Sequence, residues 1–139
     1  VVLMSKEKAG DLGLEPMATF RCHAVEGCEP EYMGVGPAVA VPKVMRIAGM
    51  GLDRMELVEL NEAFAAQAIY CIGALGIDQS ITNVNGGAIA LGHPLGCTGA
   101  KLTTQLVYEM MERDVRWGLV SMCIGFGMGA AAIFEREDY

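Results

Sequence analysis

Stretches of alternating or uniformly apolar residues indicate where the chain forms strands. Residues 17–25 alternate between apolar and polar side chains, which is typical of a strand with one buried face. Short apolar runs at 55–60, 118–124 and 129–137 predict three more strands, and the apolar residues 1–4 predict a fifth. The Gly-Phe-Gly-Met segment between the last two strands is short enough for a hairpin turn.

Helices are predicted where apolar residues recur every three or four positions. This spacing marks residues 38–50, 64–75 and 99–113, and a shorter helix is expected from Ser5 to Leu12. Strands and helices therefore alternate along the chain. This order predicts a single α/β domain in which helices cover an apolar sheet.

Composition and charge limit the classes of function. Of the 139 residues, 53% are hydrophobic and 19% are charged, so the chain is long and apolar enough to bury a core. The net charge of −7 argues against nucleic acid as a partner, because binding to phosphates needs a basic surface. No apolar run approaches the length of a membrane span. The cysteine spacing contains no Cys-x-x-Cys, so neither a disulfide framework nor a metal site is expected.

Asn61 follows a predicted strand and precedes a predicted helix, at the edge where α/β sheets usually bind ligands. An asparagine at this point is also a good helix N-cap, and Glu62 would suit the positive end of the same helix. Two interpretations are open: Asn61 caps the helix, or it holds a water molecule or a substrate oxygen.

His93 lies in a glycine-rich loop within residues 83–102, and Pro94 keeps it out of the helical conformation. Histidine changes charge near neutral pH, so His93 could act as a base, although a buried structural histidine or an exposed turn residue would fit as well. The glycine spacing matches neither common phosphate-binding motif. Cys97 precedes a helix and is either a nucleophile paired with His93 or a small buried thiol.

Cys123 ends an apolar strand and is followed by alternating glycines at Gly125, Gly127 and Gly129. Alternating glycines expose backbone N–H groups and leave space beside the thiol. This combination suits an oxyanion site with a thiol acid or base next to it. The alternative is a buried cysteine before a glycine hairpin.

Taken together, three segments resemble the blocks of the thiolase C-terminal domain, in the same order. They are NEAFAAQ from Asn61, NGGAIALGHPLGCTGA from Asn85 and CIGFGMGAAAIFE from Cys123, and the upstream GVGPAVAVPK also resembles that family. The resemblance implies that residues 1–139 form the C-terminal half of the thiolase fold. That half is expected to have a central mixed five-stranded sheet covered by helices on both faces.

The resemblance also implies a reaction and roles for four residues. Thiolases cleave 3-ketoacyl-CoA with coenzyme A, or run in reverse as a Claisen condensation, with CoA and acyl-CoA as substrates and no further cofactor. By resemblance, His93 would activate the nucleophilic cysteine and, with a water held by Asn61, form an oxyanion hole for the thioester oxygen. Cys123 would exchange the proton at the acetyl α-carbon, and the N–H of Gly125 would stabilise the acyl-enzyme oxyanion.

The nucleophilic cysteine of thiolases belongs to the N-terminal half, and nothing in this sequence corresponds to it. We therefore expect that this chain is inactive alone and that it acts with an N-terminal domain, whether that domain was cut away, is encoded separately or was lost, in an enzyme that is a dimer or tetramer. Cys97 stands where some thiolases have alanine, so the resemblance favours a structural role for it.

The residues of the GHPLGCTGA and CIGFGMGAAAIFE motifs resemble more closely those of degradative 3-ketoacyl-CoA thiolases of fatty acid β-oxidation. A biosynthetic acetoacetyl-CoA thiolase half, a non-catalytic dimerisation module and a Cys97/His93 thiol hydrolase are the alternatives. Cysteines without a pairing pattern favour a reducing compartment, and residues 137–139 are not a peroxisomal address. We expect a cytoplasmic protein.

Overall fold

The computed structural model describes residues 1–136, in which four strands form one mixed sheet. The strands are β1 (Thr19–Gly27), β2 (Leu57–Leu60), β3 (Trp117–Gly125) and β4 (Met128–Glu135). Their order in the sheet is β1-β4-β3-β2. Strand β4 is antiparallel to both of its neighbours, whereas β2 and β3 are parallel. The predicted α/β class and mixed sheet are confirmed. The C-terminal segment 137–139, used above to predict location, lies outside the described residues.

The prediction of a fifth strand is wrong. Residues 1–4 are exposed and form no strand, and helix α1 (Lys6–Asp11) begins directly after them. The predicted cap is present, because the Ser5 side chain accepts a hydrogen bond from the N–H of Lys8 at 3.2 Å. An apolar run becomes a strand only where a neighbouring strand satisfies its backbone N–H and C=O groups, and residues 1–4 have no such neighbour in the described chain.

Three other helices lie close to their predicted positions: α2 (Gly36–Ala48), α3 (Ala65–Leu75) and α5 (Thr98–Glu112). The short helix α4 (Ala88–Leu91), inside the glycine-rich loop, was not predicted. Short 3-10 turns occupy Pro30–Val35, Leu52–Arg54 and Gln79–Ile81. Glycine ends α2 and α3 in the left-handed conformation, with φ of 67° at Gly49 and 65° at Gly76, a backbone geometry that side chains disfavour.

Helices cover both faces of the sheet, as predicted. On one face, α2 and α3 pack on alternate sheet residues such as Val58, Leu60 and Leu119. On the other face, α5 packs on the intervening residues, including Leu57 and Val120. Because both faces are covered, all four residues of β2 are buried, as is usual for a strand in a parallel pair.

The parallel pairing of β2 and β3 places their carboxyl ends at the same sheet edge. The pairing continues one residue beyond β2, where the N–H of Asn61 donates to the carbonyl of Ser121 at 2.9 Å. The segments that follow β2 and β3, and the glycine-rich loop before α5, all leave from this region. Within residues 1–136, no helix is both long and apolar enough to cross a membrane.

Candidate active site

Asn61 meets the imidazole ring of His93 at the carboxyl end of β2. Its Nδ2 atom lies 3.3 Å from Nε2 and 3.4 Å from Nδ1 of the ring, and the residue is only 1% exposed. The helix-capping interpretation of Asn61 is wrong, because the chain continues through a non-helical turn and the N-cap of α3 is Phe64. Asn61 is therefore available to act on a ligand or on His93.

Thr98 holds the other side of the His93 ring. Its Oγ1 lies 2.7 Å from Nδ1 of His93 and donates a hydrogen bond to the carbonyl of Pro94 at 3.0 Å. Thr98 is the first residue of α5 and is 1% exposed. Sequence reasoning missed this residue. The available signal was a hydroxyl five positions after the histidine, at a predicted helix start.

Asn83 supports the strand end that carries Asn61. Its side chain donates from Nδ2 to the carbonyl of Leu60 at 2.8 Å and accepts from the N–H of Leu60 at 2.9 Å. The Asn83 side chain thus satisfies the backbone N–H and C=O of Leu60 as a neighbouring strand would. Asn83 has a φ of 47°, a left-handed conformation that asparagine tolerates better than most residues. Sequence reasoning did not select it either.

Glu62 ties the segment after β2 to the glycine-rich loop. Its carboxylate accepts from Asn83 Nδ2 at 3.1 Å and from the N–H of Ile89 at 3.1 Å. Glu62 therefore serves the N-terminus of α4 and not that of α3, for which the sequence favoured it. A Cβ atom at Gly87 would lie 2.2 Å from this carboxyl group, so the contact requires glycine there. The loop bearing Asn61 and the loop bearing His93 are thus held together.

Cys123 lies at the same sheet edge, two residues beyond Ser121, the residue that pairs with Leu60 in β2. Burial raises the pKa of the Cys123 thiol, so the thiol stays protonated at neutral pH and has a proton to donate. Among the described residues, no hydrogen bond joins Cys123 to Asn61 or His93. The side-chain contacts described at this edge join Asn61 to His93 and His93 to Thr98.

Gly125 begins the hairpin that follows Cys123. Its φ of 88° is in the glycine-favoured region, and the space beside its Cα is open. Phe126 and Gly127 follow with φ of 50° and 72°, the pair of positive values that a tight two-residue hairpin turn requires. The predicted hairpin is confirmed, and glycine at position 125 is explained by backbone conformation.

Cys97 is exposed and lies just before α5, where its side chain makes no capping hydrogen bond. In the described chain, Nδ1 of His93 contacts the Thr98 hydroxyl and no hydrogen bond joins His93 to Cys97. A thiol hydrolase built on Cys97 and His93 needs a thiol–imidazole pair. The geometry of this loop does not favour that alternative.

Comparison with known proteins identifies relatives of the whole domain. The family model for the C-terminal domain of thiolase matches residues 14–136. The chain is 58% identical over 135 residues to 3-ketoacyl-CoA thiolase of Bacillus subtilis (strain 168), covering 97% of this chain and 34% of the relative. It is 53% identical over 140 residues to the peroxisomal 3-ketoacyl-CoA thiolase 2 of Arabidopsis thaliana, covering 99% of this chain and 30% of the relative.

A solved structure shares the fold. The crystal structure of human mitochondrial 3-ketoacyl-CoA thiolase in complex with CoA superposes with a TM-score of 0.93 at 42% identity, covering 96% of this chain and 34% of that chain. The chain therefore spans about a third of the length of the curated relatives that it matches. The matched region includes Asn61, His93, Cys123 and Gly125. With this identity and this fold over nearly its whole length, the chain belongs to the thiolase family, as a C-terminal domain.

Proposed function

We propose that residues 1–139 are the C-terminal catalytic half of a thiolase, an acetyl-CoA acyltransferase. The reaction converts 3-ketoacyl-CoA and CoA into acetyl-CoA and an acyl-CoA shortened by two carbons. The observation that carries the proposal is the contact between the buried Asn61 and the half-buried His93 at the carboxyl edge of β2. The names of the relatives favour the degradative substrate class over acetoacetyl-CoA synthesis.

His93 acts in the first half of the reaction. Its Nε2 takes the proton from a cysteine thiol of the N-terminal domain, and the thiolate attacks the C3 carbonyl of 3-ketoacyl-CoA. The bond between C2 and C3 then breaks, and its electron pair forms the enolate of acetyl-CoA. His93 and a water held by Asn61 stabilise the enolate oxygen. Asn61 Oδ1 suits this role because it is buried and has no hydrogen-bond partner among the described residues.

Cys123 moves the proton at the α-carbon. Its thiol protonates the enolate to release acetyl-CoA, and the raised pKa of this thiol keeps the proton in place until then. The thiol of the second CoA returns a proton to Cys123 and attacks the acyl-enzyme. The N–H of Gly125 stabilises the resulting oxyanion, and the shortened acyl-CoA leaves as the nucleophilic cysteine is regenerated.

An N-terminal thiolase domain is the partner that completes this site. Each of the three site segments carries a large apolar side chain in solvent: Phe64 is 62% exposed, Leu95 is 82% exposed and Phe126 is 91% exposed. Exposed apolar side chains around one region are typical of a surface that another domain covers. The complete enzyme is a homodimer or homotetramer located in the cytoplasm, and it binds CoA and acyl-CoA without another cofactor.

Complementation tests the proposal. The chain is coexpressed with the N-terminal domain of the Bacillus subtilis relative, and CoA-dependent cleavage of a 3-ketoacyl-CoA is measured. The chain alone is expected to be inactive and the complex active. His93→Ala and Cys123→Ala should each lower the rate of the complex by at least about 100-fold, as expected for loss of general acid–base catalysis. Cys97→Ala is the matched control and should retain activity.

Two outcomes would contradict the proposal. Activity of the complex that survives the double substitution of His93 and Cys123 would show that the assigned residues are wrong. A folded, soluble oligomer that binds the N-terminal domain but never cleaves substrate would favour the non-catalytic dimerisation module.

A further inference from the structure

The Thr98 hydroxyl has one hydrogen to donate, and its surroundings decide where that hydrogen goes. Oγ1 lies 3.0 Å from the carbonyl oxygen of Pro94, which can only accept. It also lies 2.7 Å from Nδ1 of His93. If the hydroxyl donates to Pro94, its oxygen lone pair faces Nδ1, and the short contact is a hydrogen bond only when Nδ1 carries a proton.

The contact of Asn61 with the ring is compatible with this assignment but does not select it. The Nδ2 amide of Asn61, a donor, lies 3.3 Å from Nε2 and 3.4 Å from Nδ1. When Nδ1 carries the proton, the lone pair of Nε2 is free to accept from this amide. The Thr98 contact at Nδ1 is therefore the one that selects the tautomer, and Asn61 is satisfied in the same state.

Thr98 is itself held firmly. The backbone N–H groups of Cys97 and Thr98 both donate to the carbonyl of Pro94, at 2.7 and 2.9 Å. The side chain is 1% exposed, so water cannot compete for its hydroxyl. The turn that carries His93 therefore also carries the Thr98 hydroxyl, which contacts Nδ1 of the His93 ring.

We infer that Thr98 is a positioning residue that holds His93 as the Nδ1–H tautomer, with the lone pair on Nε2. The catalytic meaning of this tautomer rests on the proposed function. A proton that leaves the nucleophilic thiol bonds to Nε2, giving a thiolate and an imidazolium, and the new Nε2–H is then a donor for the enolate oxygen. The opposite tautomer has no lone pair at Nε2 and cannot take that proton.

NMR of the histidine ring nitrogens tests the tautomer directly and needs no activity assay. Long-range proton–nitrogen correlation of the ¹⁵N-labelled chain, above the pH at which imidazole is charged, distinguishes protonated from unprotonated ring nitrogens. The sequence contains two histidines, and the exposed His23 on β1 is an internal reference. We expect His93 in the wild-type chain to be protonated at Nδ1.

Substitutions then separate the hydroxyl from the packing of the side chain. Thr98→Val keeps the shape, removes the acceptor, and should shift the tautomer ratio of His93 about fivefold towards Nε2–H, as expected for the loss of one hydrogen bond. Thr98→Ser should preserve the wild-type spectrum. Thr104→Val is the matched control, since Thr104 also donates to a carbonyl one turn earlier, that of Ala100 at 2.8 Å, yet it is exposed and does not contact His93.

A wild-type His93 protonated at Nε2 would overturn the inference, as would a folded Thr98→Val chain with an unchanged tautomer ratio. If circular dichroism shows that the Thr98→Val variant is unfolded, the spectra of wild type and Thr98→Ser still test whether His93 is protonated at Nδ1. In the complemented enzyme, Thr98→Val should lower kcat about fivefold with KM unchanged. Failure of complementation with the Nδ1–H tautomer present would refute the proposed function and leave the structural role of Thr98 standing.

Discussion

Glu59 is a carboxyl group buried between the sheet and α5, and it makes the stability of this chain depend on pH. The residue is 2% exposed, and its Oε1 accepts a hydrogen bond from Gln105 at 3.1 Å. Its Oε2 has no hydrogen-bond partner among the described residues. Burial raises the pKa of Glu59 to about 7, although the positive charge of Lys101 partly opposes this effect.

The sign of the effect follows from the two pKa values. In the unfolded chain the carboxyl group has its ordinary pKa of 4.5, and in the folded chain the pKa is about 7, so the folded chain binds the proton more tightly. The stability that protonated Glu59 contributes is fully present below pH 4.5 and is lost as the pH rises through about 7. The difference between the two pKa values corresponds to about 3 kcal/mol of unfolding free energy.

Glu59→Gln removes the ionisable group and keeps an acceptor for Gln105. The variant should be more stable than wild type by about 3 kcal/mol at about pH 8, and the gain should fall towards zero at about pH 4. Urea unfolding followed by circular dichroism at both pH values measures the difference.

A control with the opposite sign is available in the same chain. A hydrogen bond from Lys43 lowers the pKa of Glu26 on β1, so Glu26→Gln should be slightly less stable than wild type at neutral pH and equal to it in acid. A Glu59→Gln chain that is destabilised at pH 8 would refute the reasoning. That result would mean that Glu59 and Lys101 form a favourable buried ion pair whose attraction exceeds the cost of desolvation.

Two substitutions test the packing around the sheet, both by urea or thermal unfolding. Gly129→Ala should cost at least about 3 kcal/mol, because the added Cβ would lie 2.0 Å from the backbone oxygen of Gly36 in α2. Gly73→Ala is the control: it lies in open space on α3 and should gain about 1 kcal/mol. Equal effects of the two substitutions would refute the close approach of α2 and β4. Leu106→Ala, at a position 1% exposed on the face of α5 that packs on the sheet, should cost about 3 kcal/mol, and a loss near zero would mean that α5 does not pack on the sheet as described.

Local signals in the sequence were sufficient for the order and the approximate bounds of the main elements. The 3.6-residue spacing on α2, α3 and α5, the glycine ends of α2 and α3, and the Ser5 cap of α1 all involve residues a few positions apart. Such signals act within one or two turns of chain, so a single sequence carries them completely. The family resemblance likewise rested on short contiguous motifs.

What the sequence by itself determined is thus the α/β class, the order of the main elements and the family, together with the candidate residues Asn61, His93, Cys123 and Gly125, whose catalytic roles stay predictions. Tertiary structure alone decided that residues 1–4 form no strand, that Glu62 serves α4, and that Thr98 contacts His93. The physical reason is distance along the chain. Asn61 and His93 are 32 positions apart, and their contact depends on strand pairing and on the path of a loop, which no local pattern encodes.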